Sequence, residues 1–533
     1  MALTPALRQS MATIHTWCGI GFAALLFAMF WMGTLTVFDA EIDQWMKPEL
    51  RFHSTGSPAR LDQLMPAILE QAPDKAQSLS ISPASARQPA LEFWYRGAKG
   101  VVYPRHYLHP QTGDFIHPTD SLAGTGFIYP FHNHFHLSWQ NTGIWLAGFA
   151  AMAMLLLLVT GVFNHRKIII ELFTFRPKKP IERATLDLHT LTALLALPFY
   201  LMIGFSGLLI NIDTYLPWAT SAPFKGDEAA RTLALSGDLN IKAAKLANPQ
   251  LASLDDMLAQ AEAQWRARNS DAPVKADAIR LSNIGDDNAY VRIRTIFPTD
   301  KIDMNNNKML FDANTGALIQ DYTAGSVVSA ANWIKAAHYI QFDHWLVRWL
   351  YFFAGLMGCV MIATGQLYWL RARSRKPGQN QLGLRLMRAM SVGAITGIIL
   401  STCMFFLLNR LLPHNASLAG YDRSELEVWA FFLTWIFSFF HAYLRRETAW
   451  QEQTACIAIV AFCAAVLNWL TTGDHPIAAW QNNLVAILGM DTLLTLAGFT
   501  AFAITLKLHS ARNAAVANMT ETLEKSAKKG MVL

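Results

Sequence analysis

Long apolar runs dominate the pattern of hydrophobic and polar positions along this chain. Eight of them are long enough, or nearly so, to cross a hydrocarbon core of about 30 Å as helices. They occupy the segments 14–38, 143–163, 190–212, 345–370, 390–408, 428–444, 455–470 and 484–506. The pattern therefore predicts a mainly α-helical membrane protein with about eight transmembrane helices.

The composition agrees with this prediction and excludes several classes of protein. Of 533 residues, 53% are hydrophobic and only 15% are charged, whereas soluble domains carry about 25% charged residues. A cytosolic enzyme, a secreted domain and a disordered chain are excluded. The net charge of +6 implies no nucleic-acid partner, because the excess of lysine and arginine lies mostly in short loops. The five cysteines all lie in apolar segments without a CxxC pair, so neither a disulfide framework nor a thiolate metal site is expected.

The order of segments gives a predicted domain organisation. It comprises a first span at 10–38, an external domain at 39–135, a second span at 136–165, a basic loop at 166–188, a third span at 189–212, a second external domain at 213–337, a fourth span at 338–370, a second basic loop at 371–389, four additional spans within 390–508 and a tail at 509–533.

The two basic loops predict the orientation of the chain. Short loops rich in lysine and arginine remain in the cytoplasm, so both termini are expected there and both long external segments on the opposite side. The first span runs directly into Asp39, Glu41 and Asp43, unlike a cleavable signal peptide. A multi-pass protein of the bacterial inner membrane is the predicted setting.

An internal repeat relates the first two spans to the third and fourth. His15 begins the first span and Gly33 follows eighteen residues later, and His189 and Gly207 repeat this spacing in the third. A constant offset of 204 residues superposes Thr160-Gly161 on Thr364-Gly365 and His134 on His338. We therefore predict a duplicated four-helix core.

The two external segments also match each other. Residues 107–116 resemble residues 310–319, and each stretch is typical of a strand, a Thr-Gly turn and a second strand. The apolar spacing within 253–268 predicts a helix before the second of these hairpins. Each half of the core thus carries one small α+β domain.

The histidines supply the candidate chemistry. Of sixteen histidines, His15 and His189 stand at the cytoplasmic starts of the first and third spans, and His134 and His338 precede the second and fourth spans on the outer side. Ionisable groups near membrane depth are usually functional, and two neutral imidazoles make a six-coordinate haem site suited to electron transfer. We predict one haem between His15 and His189 and another between His134 and His338.

Alternatives to these ligand sets exist among the neighbouring histidines. His132 and His136 are one helical turn apart and could bind zinc or copper instead. His165 precedes Arg166 and Lys167, and it could bind a haem propionate, bind an anionic lipid or replace one of the cytoplasmic ligands.

Several of these residues belong to motifs that occur together from residue 10 to residue 375. The motifs are His15-Thr-Trp-Cys-Gly, His134 before Gly143-Ile-Trp-Leu, Asn164-His165-Arg-Lys, Asp187-Leu-His189, Leu197-Pro-Phe, and His338 before Arg348-Trp-Leu-Tyr. In this set the chain resembles the PepSY-associated transmembrane proteins, which include inner-membrane ferric-siderophore reductases and iron-regulated membrane proteins. It departs from them in its additional histidines His132 and His136, in His344 close to His338, and in the last four spans.

The resemblance implies a four-helix core with b-type haems on paired histidines, two in this chain, and two external PepSY domains. It implies electron transfer outward across the membrane to a periplasmic ferric siderophore or other Fe(III) chelate. No Gly-rich dinucleotide motif follows a strand, so the electrons are expected from a cytoplasmic reductase or a membrane quinol. Membrane lipid would surround the spans.

Two other functions compete with this oxidoreductase hypothesis. A metal or siderophore permease would use the histidines as a relay, but no span is predicted to break at mid-membrane as transporter helices do. A PepSY-type sensor or binding protein would leave the paired histidines unexplained.

Overall fold

A computed structural model of the chain describes residues 4–52, 58–164, 176, 179–239, 241–248, 250–268, 275–295, 307–342, 344–375, 378 and 380–530. Among these residues, seven helices are long and apolar enough to span a membrane, and one bent pair makes an eighth span. The predicted fold class, a mainly α membrane protein with about eight spans and an α+β domain, is confirmed.

The helices are numbered in chain order. They are α1 (Pro5–Thr36), α2 (Asp39–Met46), α3 (Leu61–Glu70), α4 (Tyr129–His134), α5 (Thr142–Asn164), α6 (Ile181–Leu195), α7 (Leu197–Ile210), α8 (Leu254–Arg268), α9 (Ser326–Tyr339), α10 (Trp345–Ser374), α11 (Gln381–Leu411), α12 (Arg423–Arg445), α13 (Ala449–Thr472) and α14 (Val485–Gly530). Four further short helices among the described residues cover Ile212–Tyr215, Pro217–Ser221, Glu228–Ser236 and Pro476–Gln481.

Local capping interactions fix several helix ends. The Thr4 side chain accepts a hydrogen bond from the Leu7 N–H, and Pro5 occupies the first turn of α1, where a missing N–H costs nothing. Asp422 and Glu425 form a reciprocal capping box at the start of α12. The last helix, α14, continues through most of the segment predicted as a tail.

The third span is broken, contrary to the prediction that no span breaks at mid-membrane. α6 and α7 meet at Ala196 with a bend of 64°. Pro198 lies in the first turn of α7, and because proline lacks an N–H and crowds the preceding turn, a continuous helix cannot pass through this point. The Leu197-Pro-Phe motif already contained the cause of the bend.

Within the described residues, the two segments predicted to be external form one eight-stranded antiparallel sheet. Its strands are β1 (Ala76–Ser82), β2 (Leu91–Gly97), β3 (Val102–Leu108), β4 (Phe115–Ile116), β5 (Ala278–Ser282), β6 (Tyr290–Thr295), β7 (Asn307–Asp312) and β8 (Leu318–Tyr322), in the order β4-β3-β2-β1-β5-β6-β7-β8. The two predicted external domains join where β1 pairs with β5, with Leu79 opposite Leu281.

The repeated hairpins have the predicted form. Gly113 and Gly316 adopt positive φ angles of 75° and 76° in the turns between β3 and β4 and between β7 and β8, a conformation that glycine adopts without a steric penalty. One face of the sheet is covered by α3 and α8, and Trp265 of α8 is fully buried there.

The last four spans pack against the duplicated core instead of forming a separate domain. Phe127, just before α4, contacts Phe405 of α11 and Phe431 of α12 with ring centroids 4.9 and 5.1 Å apart. The Trp45 indole of α2 donates a hydrogen bond of 2.8 Å to Asp491 of α14. These helices therefore hold α2 and the segment before α4 in place.

The helix bundle has two ends. The sheet side is the end where the long connections 37–141 and 211–344 leave the helices. The basic side is the opposite end, where α5 and α10 end and α6 and α11 begin. Most of the first basic loop, His165 included, falls outside the described residues.

Candidate functional site

Two pairs of histidines face each other inside the duplicated core, one pair at each end. On the basic side, His15 of α1 lies against His189 of α6, with ring centroids 6.4 Å apart and ring planes at 74°. The structure thus brings together the two residues that the repeat had paired.

The neighbouring helices hold both basic-side rings. The His15 ring lies against Gly161 of α5, where a Cβ atom would be 3.2 Å from Cε1, and the His189 ring lies against Gly365 of α10, where it would be 3.1 Å away. His15 Nδ1 is 3.0 Å from the Leu157 carbonyl oxygen, and His189 Nδ1 is 2.8 Å from that of Met361.

On the sheet side, His338 of α9 faces His132 of α4 and not His134. The ring centroids are 6.0 Å apart and the planes are inclined by 25°. His132 lies against Gly33 of α1, and His338 lies against Gly207 of α7, at Cβ distances of 2.6 and 3.2 Å.

Hydrogen bonds orient this second pair as they do the first. His132 Nδ1 is 3.0 Å from the Met29 carbonyl oxygen. His338 Nδ1 is 2.9 Å from Ser206 Oγ, whose own proton is donated to the Met202 carbonyl. Because a carbonyl oxygen can only accept, His132 carries its proton on Nδ1, and Nε2 holds the lone pair that can bind a metal.

One geometric rule relates three of the four histidines. His15, His132 and His189 each contact the carbonyl oxygen of the residue one helical turn before the glycine under the ring. These residues are Leu157 before Gly161, Met29 before Gly33 and Met361 before Gly365. His338 instead contacts the Oγ of Ser206, the residue just before Gly207. A Cβ atom points towards the helix N-terminus and covers the carbonyl four residues earlier. Glycine leaves that carbonyl open, so its second lone pair can accept the imidazole proton.

A cavity opens between the two sheet-side rings. Gly33, Gly204 and Gly207 form part of its lining together with alanines of α5, so side chains do not fill the space beside the imidazoles. Burial lowers the pKa of His132 and lowers that of His338 to about 3. Both imidazoles are therefore neutral at pH 7, the form that binds a metal.

These features fit a haem group. Two imidazoles that bind one iron from opposite faces, each through a bond of about 2 Å, have ring centroids about 6 Å apart. Both observed pairs have this separation. The glycines leave room beside each ring for a flat group, and the protonated Nδ1 directs Nε2 away from the supporting helix.

The remaining candidate histidines lie elsewhere. His134 and His136 have buried Nδ1 atoms without a hydrogen-bond partner among the described residues, and the His136 ring packs against Phe127 at 5.4 Å. His344 is exposed at the start of α10. Within the described residues, no group of three or more metal-binding side chains is assembled, as a zinc or copper site at residues 132–136 would need.

The pairing of His132 instead of His134 has a physical cause. α4 ends at His134, and Phe135 and His136 adopt positive φ angles, so His132 and His136 are not one helical turn apart on a single helix. The connection from His132 to α5 is longer than that from His338 to α10. The constant offset of 204 residues therefore matches His338 with His134, which lies two residues after the histidine that faces His338 in the structure.

A buried ionic cluster lies beside the sheet-side pair. Arg87, between β1 and β2, binds Asp39 and Glu41 of α2 at 3.0 Å each. Arg348 of α10 binds Glu41 at 2.7 Å and donates to the Val37 carbonyl. Burial raises the pKa of Asp39 to about 6, although Arg87 opposes this shift. The cluster joins the sheet to the bundle next to the cavity, which Asp39 also lines. The sequence contained no pattern that grouped these charges.

Comparison with known proteins places this architecture in a family. The family model described as "PepSY-associated TM region" matches residues 12–372. The chain belongs to this family. The matched region contains all four paired histidines and ends before α11, so the last four spans lie outside it.

A curated relative of this PepSY-associated chain comes from Pseudomonas aeruginosa. It is named "Uncharacterized protein PA4219" and is 25% identical over 299 residues, which cover 54% of this chain and 73% of the relative.

Proposed function

We propose that this protein is a haem-containing transmembrane electron-transfer protein that reduces Fe(III) chelates on the sheet side of the membrane. The observation that carries the proposal is the presence of two opposed imidazole pairs at opposite ends of one four-helix core. On α1, His15 belongs to the basic-side site and Gly33 contacts the sheet-side site. The two residues are eighteen positions apart, which is about 27 Å along a helix. The sites thus stand close to the two faces of the apolar layer.

Each residue has a definite task in this proposal. His15 and His189 would hold one b-type haem, and His132 and His338 would hold the other. A haem held by two imidazoles has no open coordination position and exchanges single electrons. The carbonyl of Met29 fixes the tautomer and the orientation of the His132 ring, and Gly33 provides the surface on which that ring lies. The same carbonyl contact orients the rings of His15 and His189, and Ser206 Oγ orients that of His338.

The proposed partners follow from the location of the sites. The acceptor is a ferric siderophore or another Fe(III) chelate, and the donor on the basic side is a cytoplasmic reductase or a membrane quinol. With the basic side in the cytoplasm, as the loop charges predict, the electrons pass outward across a bacterial inner membrane. The protein would then be an oxidoreductase of the ferric-chelate reductase class.

The decisive experiment is a dithionite-reduced minus oxidised absorption spectrum of the purified full chain, with haem counted per polypeptide. We expect sharp α and Soret bands and about two haems per chain. Reoxidation by a ferric chelate, followed at the α band, then tests the acceptor class. A flat spectrum from cells supplied with haem would overturn the proposal.

The bend between α6 and α7 favours a second candidate, a permease for metals or siderophores, because broken helices mark binding sites in transporters. The same preparation separates the two functions. A chain without haem that moves a ferric chelate into sealed vesicles is a permease, whereas a haem-loaded chain that reduces the chelate outside them is not.

A further inference from the structure

A cavity of about 630 Å³ lies at the basic side, where four spanning helices end or begin. α10 contributes its last turns, α11 its first two turns, α12 its end and the two residues after it, and α13 its start. This cavity, here called the arginine cavity, therefore joins the family core to the additional helices. It is remote in the fold from the sheet-side histidine pair.

The lining of the arginine cavity carries a strong positive charge. Four arginines face one carboxylate: Arg371, Arg385, Arg388 and Arg446 against Glu447. Only Arg388 pairs with Glu447. Among the described residues, Arg371 and Arg446 have no carboxylate partner.

Arg385 is held in place by groups that carry no charge. Its Nε donates a hydrogen bond of 2.9 Å to the Tyr443 carbonyl, and its guanidinium lies 3.8 Å from the centroid of the Tyr443 ring. Both interactions fix the side chain, but neither neutralises it. An anion in the cavity could therefore accept hydrogen bonds from Arg385 with little loss of side-chain conformational entropy.

The other walls of the arginine cavity are apolar. Leu367 and Leu370 of α10, Leu382 of α11 and Trp450 of α13 line it, and Leu382 is more than half exposed towards the surroundings of the bundle. An inorganic anion would leave these walls unused. A ligand with an anionic head and hydrocarbon chains would satisfy both kinds of lining.

We infer that the arginine cavity binds the head group of an anionic phospholipid. Basic pockets between membrane helices at the cytoplasmic face are suited to such phosphates, and guanidinium groups bind phosphate oxygens in a two-pronged geometry. The lipid would bridge α10 of the family core to α11, α12 and α13. This inference does not depend on haem binding, and either can fail without the other.

The test uses the purified full chain in mild detergent after removal of bound lipid, with thermal unfolding followed by its tryptophan fluorescence. Micelles containing cardiolipin or phosphatidylglycerol are expected to raise the Tm in a saturable manner, whereas phosphatidylcholine micelles and inorganic phosphate leave it unchanged. The double variant Arg371→Gln/Arg446→Gln is expected to need about thirtyfold more anionic lipid for the same shift.

Arg373→Gln is the matched control, because Arg373 lies over Trp369 and outside the cavity. It removes one positive charge from the same end of α10 as Arg371→Gln does, and it is expected to respond as the unmodified chain does. If the double variant does not fold, Arg446→Gln alone enters the same titration. Equal responses to anionic and neutral lipid, an unchanged response of the variant, or saturation by inorganic phosphate would each overturn the inference.

Discussion

Gly33 lies directly beneath the imidazole of His132, so that a Cβ atom at this glycine would come within 2.6 Å of the ring carbon Cε1. The contact joins α1 to α4 and leaves the Met29 carbonyl open to the ring nitrogen. An alanine at this position would both displace the His132 ring and cover the Met29 carbonyl oxygen that accepts its hydrogen bond.

We therefore expect Gly33→Ala to disrupt the sheet-side site and leave the basic-side site intact. The haem content per chain is expected to fall from about two to about one, because only one of the two imidazole pairs is disturbed. Gly21→Ala on the same helix is the control, since a Cβ atom there meets nothing within 4 Å. Equal haem loss in both variants would contradict this role of Gly33.

The identity of the sheet-side ligand gives a second prediction. His132→Ala is expected to remove one haem and to weaken reduction of external chelates, because His338 would then have no opposing imidazole. His134→Ala is expected to retain both haems. The reduced-minus-oxidised spectrum of each variant checks this, and loss of one haem in His134→Ala alone would restore the ligand pair predicted from the repeat.

The raised pKa of Asp39 predicts a pH-dependent stability. Burial makes the folded protein bind the Asp39 proton more tightly than the unfolded chain does, with a pKa of about 6 against 3.8. The stabilisation from neutral Asp39 is complete when the pH is below 3.8, the pKa of Asp39 in the unfolded chain. It is lost as the pH rises through 6, the pKa in the folded protein. It amounts to about 3 kcal/mol.

Asp39→Asn keeps the group neutral at every pH. We expect its Tm to rise relative to the unmodified chain as the pH increases from 4 to 7, while the exposed-site control Asp114→Asn shows no such trend. A Tm difference that moves in the opposite direction would mean that attraction to Arg87 outweighs the cost of burial.

Arg348 provides a prediction about how the bundle is held to α2. Its side chain is almost completely buried, and its removal leaves Glu41 with Arg87 alone and the Val37 carbonyl without this donor. We expect Arg348→Met to cost about 3 kcal/mol of stability, measured by thermal unfolding in detergent. Arg373→Met, at the partly exposed end of the same helix, is expected to change the Tm little.

Local signals in the sequence predicted much of the fold. The Thr-Gly turns at Gly113 and Gly316 were predictable because only glycine adopts their backbone angles cheaply. The helix over Leu254–Arg268 was predictable because its apolar spacing matches the single face that packs on the sheet. The bend at Ala196 also had a local cause in Pro198, although the long apolar run concealed it.

Features that depend on two distant segments were predicted less completely. The pairing of β1 with β5 merges the two domains that were predicted to be external. It is set by edge strands that no local pattern identifies. The packing of Phe127 on Phe405 and Phe431 shows where the last four spans lie. The sequence did not predict these contacts, because an aromatic residue in an apolar helix does not indicate which residue it will pack against.

The sequence by itself determined the spans, the repeat and the positions of the four glycines, because hydrophobic length and residue spacing act along a single helix. Only the tertiary structure decided which imidazole opposes His338 and on which glycine each ring lies. The reason is that a glycine exposes a carbonyl on its own helix, whereas the histidine that uses it arrives on another. Its position depends on the length and shape of the intervening connection, which at His132 differs between the two halves of the repeat.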